Sequence, residues 1–432
     1  MHGIPCHGRT VSLMSDASPG SAPSRGPVPW LVVLLASGGT ALLPNQRWAL
    51  EKLPTESGAA DVTLTSRFED AGLADLIARE LVLEVRCPAH HAEQAVAQAV
   101  SLGANLVPLL SFAVNAHIPV PLPHLAYEAA PRLTRRRFWQ AQVTLEQGLP
   151  RPSRIQREEL LFPLLGAVFA AGVDPRLPRA FGQYHAALRD WTTSGRPLAM
   201  AHLYMALEAL GPVAEREARQ RLNLPDQQAH ARYRGVDVGL KNWKEVLLGW
   251  VRRDELCQGD KVTYDLARRA SDGLEHGSMD FPEVRAAAET TGPLLLSYVR
   301  RGLLGLLDLP ESVRRALADK QPLDVSPLRF SVTGELTGAV EDPDALGQDG
   351  QPYPYADWHV TLDDHHRLPD GRMRMTPRMN LTARLAEDVQ LTFTAHATGV
   401  GLTDPDLFDY EPSTEEPVVI RHQGRLGGAP DV

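Results

Sequence analysis

The hydrophobic positions of the chain change their spacing twice between its first residue and its last. In the first third, an apolar run at 28–39 and an alternating stretch at 81–85 are typical of strands, whereas the apolar residues of 95–110 recur at helical spacing. The middle third repeats apolar residues every three or four positions. From 327 onwards polar and apolar residues alternate, with Asp-Gly turn signals between the runs. The pattern predicts a multi-domain α+β protein.

The changes in spacing also place the predicted domain boundaries. A chain of 432 residues is too long for one ordinary core. Residues 1–25 are rich in Ser, Pro and Gly and are expected to form a disordered tail. We predict a small N-terminal α+β domain over 26–150, a helical bundle over 151–320 and an antiparallel β domain over 321–432.

Local signals predict where individual elements begin and end. A helical stripe over 73–77 precedes the strand at 81–85, and Pro88 suits the first turn of the helix that follows. A helix over 198–210 is predicted to close at the Gly-Pro pair after it. A later helix is predicted to break near Gly273.

The apolar run VPWLVVLLASGG at 28–39 has two interpretations. Arg9 and Arg25 precede it, as basic residues precede the core of a signal peptide. Its apolar part is shorter than the roughly 20 residues that a membrane helix needs. It is rich in Val and Leu, carries Trp30 and ends in a Gly-Gly turn, so a buried first strand is the favoured interpretation, and no membrane contact is expected.

The cysteines and the absence of common motifs limit the kinds of site that the chain can contain. The chain has three cysteines, Cys6, Cys87 and Cys257, which lie far apart and form no CxxC pair. This spacing argues against a disulfide framework and against a zinc ribbon, and it fits a reducing cytosol. The chain has no Walker loop, GxGxxG, HExxH or GxSxG motif. We therefore predict a cytoplasmic protein with no cofactor and no metal.

Charge is spread unevenly over the chain. Residues 1–150, 151–320 and 321–432 carry net charges of −1, +3 and −11, which together give −9. An acidic C-terminal region disfavours binding of nucleic acid over the whole surface. If a polyanion binds, we expect it at the middle region.

The stretch ARRASDGLEHGSMDF at 267–281 contains groups that could handle a phosphate. In metal-free RNA cleavage the 2′-hydroxyl attacks the neighbouring phosphate, a histidine moves the proton and a cation steadies the phosphoryl oxygens. His276 suits the proton transfer because histidine titrates near neutrality. Arg269 suits the stabilisation of the phosphoryl oxygens because its planar guanidinium matches a phosphate. The two are candidate catalytic residues.

This stretch, with HLYMALEAL at 202–210, resembles HEPN domains, helical bundles in which an arginine, four to six residues and a histidine lie on a late helix. The resemblance covers roughly 177–310. It implies a metal-free endoribonuclease of bacterial defence or stress response, with Asp272 and Glu208 orienting the pair, RNA as substrate and a homodimer formed through the motif-bearing helices. In the commonest family spacing, Ser271 stands where the arginine would be, and Arg269 fits only the longest spacing.

Each candidate also has a structural interpretation. His276 before a glycine is typical of a helix end, and Arg269 can pair along its own helix. Glu208 lies on a helix otherwise packed with Leu and Met, so we expect a buried carboxylate with Arg269 as its partner. A second hypothesis follows: a catalytically inactive HEPN-like scaffold, with the acidic β domain as a partner-contacting module.

A weaker candidate lies at RLTRRR, 132–137, followed by Phe138 and Trp139. Cations beside aromatic rings can bind single-stranded nucleic acid. The same pattern is typical of the solvated start of a strand, which is the favoured interpretation.

Overall fold

The structure, a computed structural model of the chain, describes part of its 432 residues. The described residues are 26–43, 46–55, 58–69, 77–130, 136–141, 153–170, 173–192, 194–323 and the backbone of five strands after 328. The tail predicted over 1–25 and the Asp-Gly turns at 349–350 and 370–371 lie outside them. The fold is mixed α+β, as the spacing of apolar residues predicts.

An antiparallel sheet forms the first part of the molecule, with strand order β3-β4-β5-β1-β6-β7. Its strands are β1 (Val28–Ser37), β3 (Trp48–Thr55), β4 (Gly58–Glu69), β5 (Ile77–Ala89), β6 (Leu122–Glu128) and β7 (Phe138–Gln140). A short parallel pair joins β2 (Gly39–Ala41) to β8 (Ser153–Ile155). The run at 28–39 is thus a strand, and β1 lies between β5 and β6 with Trp30 fully buried.

One face of this sheet is covered by α1 (Ala92–Val114). His91 caps its first turn by accepting a hydrogen bond from the Gln94 N–H. Within the described residues α1 is also the one helix long and apolar enough to cross a membrane. Its length and composition equally suit a core helix, and 61% of its apolar 18-residue stretch is buried inside the protein.

Two predictions for this region are wrong. Ile77, placed at the end of a helical stripe, is the first residue of β5 and pairs with Glu69 of β4. Pro88 belongs to β5 as well, opposite Pro29 of β1, and the helix begins at Ala92. Cross-strand pairing decides both cases, because a pattern of three residues cannot reveal the sheet that the segment joins.

The middle of the chain is helical. Its elements are α2 (Glu158–Phe169), α3 (Arg176–Arg189), α4 (Arg196–Arg221), α5 (Gln227–Tyr233), α6 (Trp243–Val251), a π-helical turn (Arg252–Leu256), α7 (Lys261–His276), α8 (Phe281–Gly305) and α9 (Glu311–Ala318). Helix α4 packs against α3, α7 and α8.

The predicted end of α4 at Gly211-Pro212 is wrong, since the helix continues to Arg221. Pro212 removes one backbone hydrogen bond, but the burial of Leu210 and Val213 on either side holds the helix together. Gly211 has a packing role instead, because a Cβ there would lie 3.2 Å from Nε of Arg252.

The sheet and the bundle share one core. A continuous cluster of buried side chains runs from Trp30 in β1 to Leu317 in α9. Arg300 of α8 crosses this core, fully buried, and donates to the carbonyl oxygens of Phe112 (2.8 Å) and Leu317 (2.7 Å). Its guanidinium lies 4.3 Å from the centre of the Phe112 ring.

Asn115 closes the same junction from the end of α1. It adopts the left-handed conformation that ends the helix, with φ of 51°. Its side chain donates to the carbonyl of Lys320 and accepts from the Tyr184 hydroxyl, both at 2.7 Å. Arg154 donates to the carbonyls of Val114 and Asn115. The last carbonyls of α1 are thus satisfied by residues distant in sequence.

Beyond residue 328 the described part of the chain contains five strands. They are β9 (Arg329–Thr337), β10 (Ala356–Arg367), β11 (Met373–Ala383), β12 (Gln390–Gly399) and β13 (Val418–Gly427). β10 pairs with β11, and β12 lies between β9 and β13, all antiparallel.

Candidate functional site

Helix α7 carries Arg269 and His276, and it is one unbroken helix. Asp260 caps its start by accepting from the Thr263 N–H (3.0 Å), and Gly277 ends it with φ of 64°. The break expected near Gly273 is absent, because Gly273 is buried against Met279, where a Cβ would come within 2.5 Å. The glycine therefore serves close packing and not a bend.

Arg269 and His276 lie on the exposed side of α7, away from the bundle. Seven residues separate them, which on a straight helix means about two turns and about 10.5 Å along the axis. In the described part of the chain, neither side chain takes part in an ion pair or hydrogen bond. One copy of the chain thus holds them on one face but does not bring them together.

Glu208 does not bind Arg269. Its side chain is 50% exposed, and its ion-pair partner is Arg252, with 3.8 Å between Oε1 and Nη1. The expectations of a buried carboxylate and of Arg269 as its partner are both wrong. Glu208 lies at the edge of the interface that α4 forms with α6 and α7, where one side of α4 is exposed to solvent.

Arg252 is the cation that the structure places at this edge. It begins the π-helical turn after α6, and its side chain is only 5% exposed. Its Nη2 donates to Glu245 Oε1 at 2.7 Å, and Gly211 leaves room for the guanidinium against α4. Burial works against its charge, but Glu245 and two tyrosines nearby raise its pKa. Arg252 therefore stays charged, with its two terminal nitrogens paired to Glu208 and Glu245.

Three further carboxylates lie close enough to Glu208 to act on it electrostatically: Glu245, Asp272 and Glu275. Partial burial raises the pKa of Glu208, Arg252 lowers it, and the other three carboxylates raise it further. Glu208 and Asp272 are thus close enough to interact electrostatically, in a cluster where carboxylates outnumber the one cation. Such a surface repels a phosphate.

The position of the missing arginine is informative. Ser271, which stands there in the commonest family spacing, is 2% exposed and donates to Glu275 Oε1 at 3.3 Å. This position faces the bundle, on the side where the carboxylates gather. The nearby cation comes from another element, Arg252.

No family model, characterised protein or solved structure matches this chain. The interpretation of the site therefore rests on its own residues. Among the described residues, no group of three or more His, Cys, Asp or Glu side chains could hold a metal ion. Burial raises the pKa of the Cys87 thiol to about 11 and that of Cys257 to about 12, so both are poor nucleophiles.

The basic segment before β7 is only partly described. Arg137 binds Glu128 and lies 5.5 Å from the centre of the Trp30 ring, so it secures the edge of the sheet. Phe138 is 71% exposed. Residues 131–135 lie outside the described part of the chain.

Arg252, Glu245 and Glu275 are the residues that sequence reasoning misses. The run VRRDEL after an apolar helix shows two adjacent arginines. Only the fold reveals that Arg252 is buried, whereas Arg253 is partly exposed and lies over the Trp250 ring. A π-helical turn leaves no reliable pattern in a sequence, although such turns are frequent at functional positions.

Proposed function

We propose that this chain is a HEPN-like binding protein that does not cleave RNA as a single copy. The observation that carries the proposal is the unbroken α7, which keeps Arg269 and His276 about two turns apart. A phosphate held by the arginine would lie beyond the short reach of the imidazole.

The electrostatics of the neighbouring surface support the same conclusion. Glu208, which was expected with Asp272 to orient a catalytic pair, pairs with Arg252 and lies near three other carboxylates. A polyanion gains little from a cation whose charge is already matched by two carboxylates, Glu208 and Glu245. We therefore expect the partner to be a protein, with the acidic C-terminal β domain as the proposed contacting module.

The test is RNA cleavage by the purified full chain in EDTA, beside Arg269→Ala and His276→Ala variants with folding checked by circular dichroism. The proposal expects no cleavage by any of the three on structured and unstructured RNA. Cleavage by the unmutated chain that both substitutions abolish would overturn it. Equal cleavage by all three proteins would indicate either a contaminating ribonuclease or a different active site in this chain. A different active site would also overturn the proposal.

A second candidate, a ribonuclease assembled from two copies, is favoured by one observation. Arg269 and His276 lie at seven-residue spacing on the exposed side of α7. Two such helices packed antiparallel would place Arg269 of one copy level with His276 of the other. This arrangement would complete a site that one copy lacks.

The second candidate has its own experiment. Arg269→Ala and His276→Ala proteins are each inactive in this scheme, but a mixture forms dimers with one complete site. Cleavage restored by mixing, together with a dimer by light scattering, would establish the assembled enzyme. A monomer at all concentrations, or a mixture that stays inactive while the unmutated chain cleaves, would exclude it.

A further inference from the structure

A narrow cleft separates the end of β3, an edge strand of the sheet, from the first half of α1. Its volume is about 200 Å³, and the strand contributes Pro54 and Thr55 to its wall. The opposite wall is formed by one side of the helix, with the residues Gln94, Ala97, Gln98, Ser101, Leu102 and Asn105. Since the first and last of these are eleven positions apart, the cleft follows α1 for about 16.5 Å.

The polar residues of α1 are concentrated in this cleft. Apart from Glu93 and Ser111, every polar residue of the helix lines it: Gln94, Gln98, Ser101 and Asn105. Spacings of four, three and four positions place these side chains in one row along the helix. Gln98 and Leu102 are the most enclosed residues of the wall, 8% and 5% exposed. The row is therefore part of a groove with a closed side and not of the open surface.

The cleft offers hydrogen bonds of both kinds and no charge. A primary amide donates through its nitrogen and accepts through its oxygen, and a hydroxyl also does both. Within the described residues, the side chains of Ser101 and Asn105 form no hydrogen bond. The Thr55 hydroxyl donates to the Gly58 carbonyl at 3.0 Å, which leaves its oxygen as an acceptor. Among the described residues, no ionisable side chain lines the cleft, so a complementary ligand is neutral and carries donors as well as acceptors.

An extended peptide has these properties along its whole backbone. Each residue other than proline offers one neutral donor and one neutral acceptor. A strand rises about 3.3 Å per residue, so a segment of about five residues fills the length of the cleft. Alternate residues of that segment are about 6.6 Å apart, close to the rise of about 6 Å over four helix positions. A small polyol would occupy only part of this length.

We propose that the cleft between β3 and α1 is a binding groove for an extended, uncharged peptide segment of a partner protein. The amide side chains of the row bind the backbone N–H and C=O groups of the segment, and the apolar wall residues contact its side chains. This assignment rests on the proposed function, because the partner expected there is a protein. Helix α7 contributes no residue to the groove.

The groove is tested by selection from a random seven-residue peptide library displayed on phage, with the immobilised full chain as target. Selected sequences are synthesised with capped ends, and their dissociation constants are measured by fluorescence polarisation. Methylation of two alternate backbone nitrogens should weaken binding by about tenfold or more, because each methyl group removes a donor. Failure to select any peptide, or an affinity that methylation leaves unchanged, would overturn the proposal.

Variants locate the bound peptide. Ala97→Trp fills the cleft with an indole and should weaken binding by at least about tenfold. Asn105→Leu removes one amide and should weaken binding by about fivefold. Ala286→Trp, at an exposed position of α8, is the matched control and should bind like the unmutated chain. Equal binding by the control and by both cleft variants would show that the peptide binds elsewhere, against the proposal.

Photo-cross-linking decides the case in which a variant folds poorly. A selected peptide that carries benzoylphenylalanine is irradiated with the unmutated chain, and mass spectrometry identifies the attached segment. Attachment within 48–55 or 92–105 supports the groove, and attachment only outside these segments contradicts it. The RNA cleavage assay reads α7, so a failure of the groove leaves the non-cleaving assignment standing. Cleavage by a chain that binds the peptide would overturn only the proposed function.

Discussion

At the scale of single residues, burial separates arginines that are adjacent in sequence. Arg300 is enclosed at the junction of sheet and bundle, while Arg301 is exposed on the next position of α8. Arg252 is enclosed beside α4, and Arg253 binds Asp254 and lies over Trp250. The sequence shows each of these pairs only as two adjacent arginines. Which member turns inward depends on the helix phase that packing imposes.

Removing the Arg300 guanidinium should destabilise the fold. In Arg300→Met, the buried carbonyl oxygen of Leu317 loses its guanidinium donor, and that of Phe112 keeps only the Asn115 N–H. We expect the free energy of unfolding to fall by about 2–4 kcal/mol. Urea unfolding followed by circular dichroism measures it. The matched control Arg301→Met should change stability by less than about 0.5 kcal/mol; equal losses in the two variants would contradict the role assigned to Arg300.

Glu208→Gln should stabilise the protein slightly at neutral pH. Partial burial and three carboxylates raise the pKa of Glu208 in the folded chain, so the ionised form is disfavoured there. Stability from this group is therefore complete below its ordinary pKa of 4.5 and is lost as the pH rises through the folded value.

Because Glu208 is half exposed, the gain in Glu208→Gln should stay under about 0.5 kcal/mol. Thermal unfolding at pH 7 and pH 4 measures it, and the difference between variant and unmutated chain should shrink at the lower pH. A clear loss of stability at pH 7 would mean that the Arg252 pair outweighs the repulsion.

At the scale of elements, apolar spacing predicts most helices of the bundle and the first strand. The helices around Phe181, Leu247 and Leu296 lie where the spacing places them, and β1 occupies the run at 28–39. Helix ends were predicted less well. A Gly-Pro pair and a lone glycine signal a stop, yet at 211–212 and 273 tertiary packing makes the helix continue.

Substitution of two helical glycines by alanine separates the effect of close packing from that of helix propensity. Gly273→Ala puts a Cβ within 2.5 Å of the Met279 Cβ, so it should destabilise the chain by about 1–3 kcal/mol despite the better helix former. Gly182→Ala on α3 meets nothing within 4 Å and should stabilise by about 0.5–1 kcal/mol. Melting temperatures of the two variants settle this, and the same sign for both would show that Gly273 is not packed as described.

At the scale of the whole molecule, the buried core crosses the boundary that was predicted near 150. The change from mixed to helical spacing marks a change of secondary structure, but α1 and the Arg300 junction carry the apolar contacts across it. Sequence reveals the period of each segment. It does not reveal which segments share a core, because that depends on contacts between residues as distant as Phe112 and Arg300.

The sheet and bundle should unfold together. Since one buried cluster contains Trp30 of the sheet and Trp191 of the bundle, urea should produce a single transition for residues 26–323. Tryptophan fluorescence and far-ultraviolet circular dichroism should give the same midpoint. Two separated transitions, with the β1 region unfolding apart from α4, would contradict a shared core.

We propose that one copy of the chain has no ribonuclease site, because α7 holds Arg269 and His276 about two turns apart. The most direct test is the rate of cleavage of an end-labelled RNA in EDTA, measured over a wide range of protein concentration. We predict no cleavage above the no-protein control at any concentration. Cleavage whose rate per molecule stays constant down to concentrations where the chain is monomeric, and which Arg269→Ala abolishes, would contradict the claim.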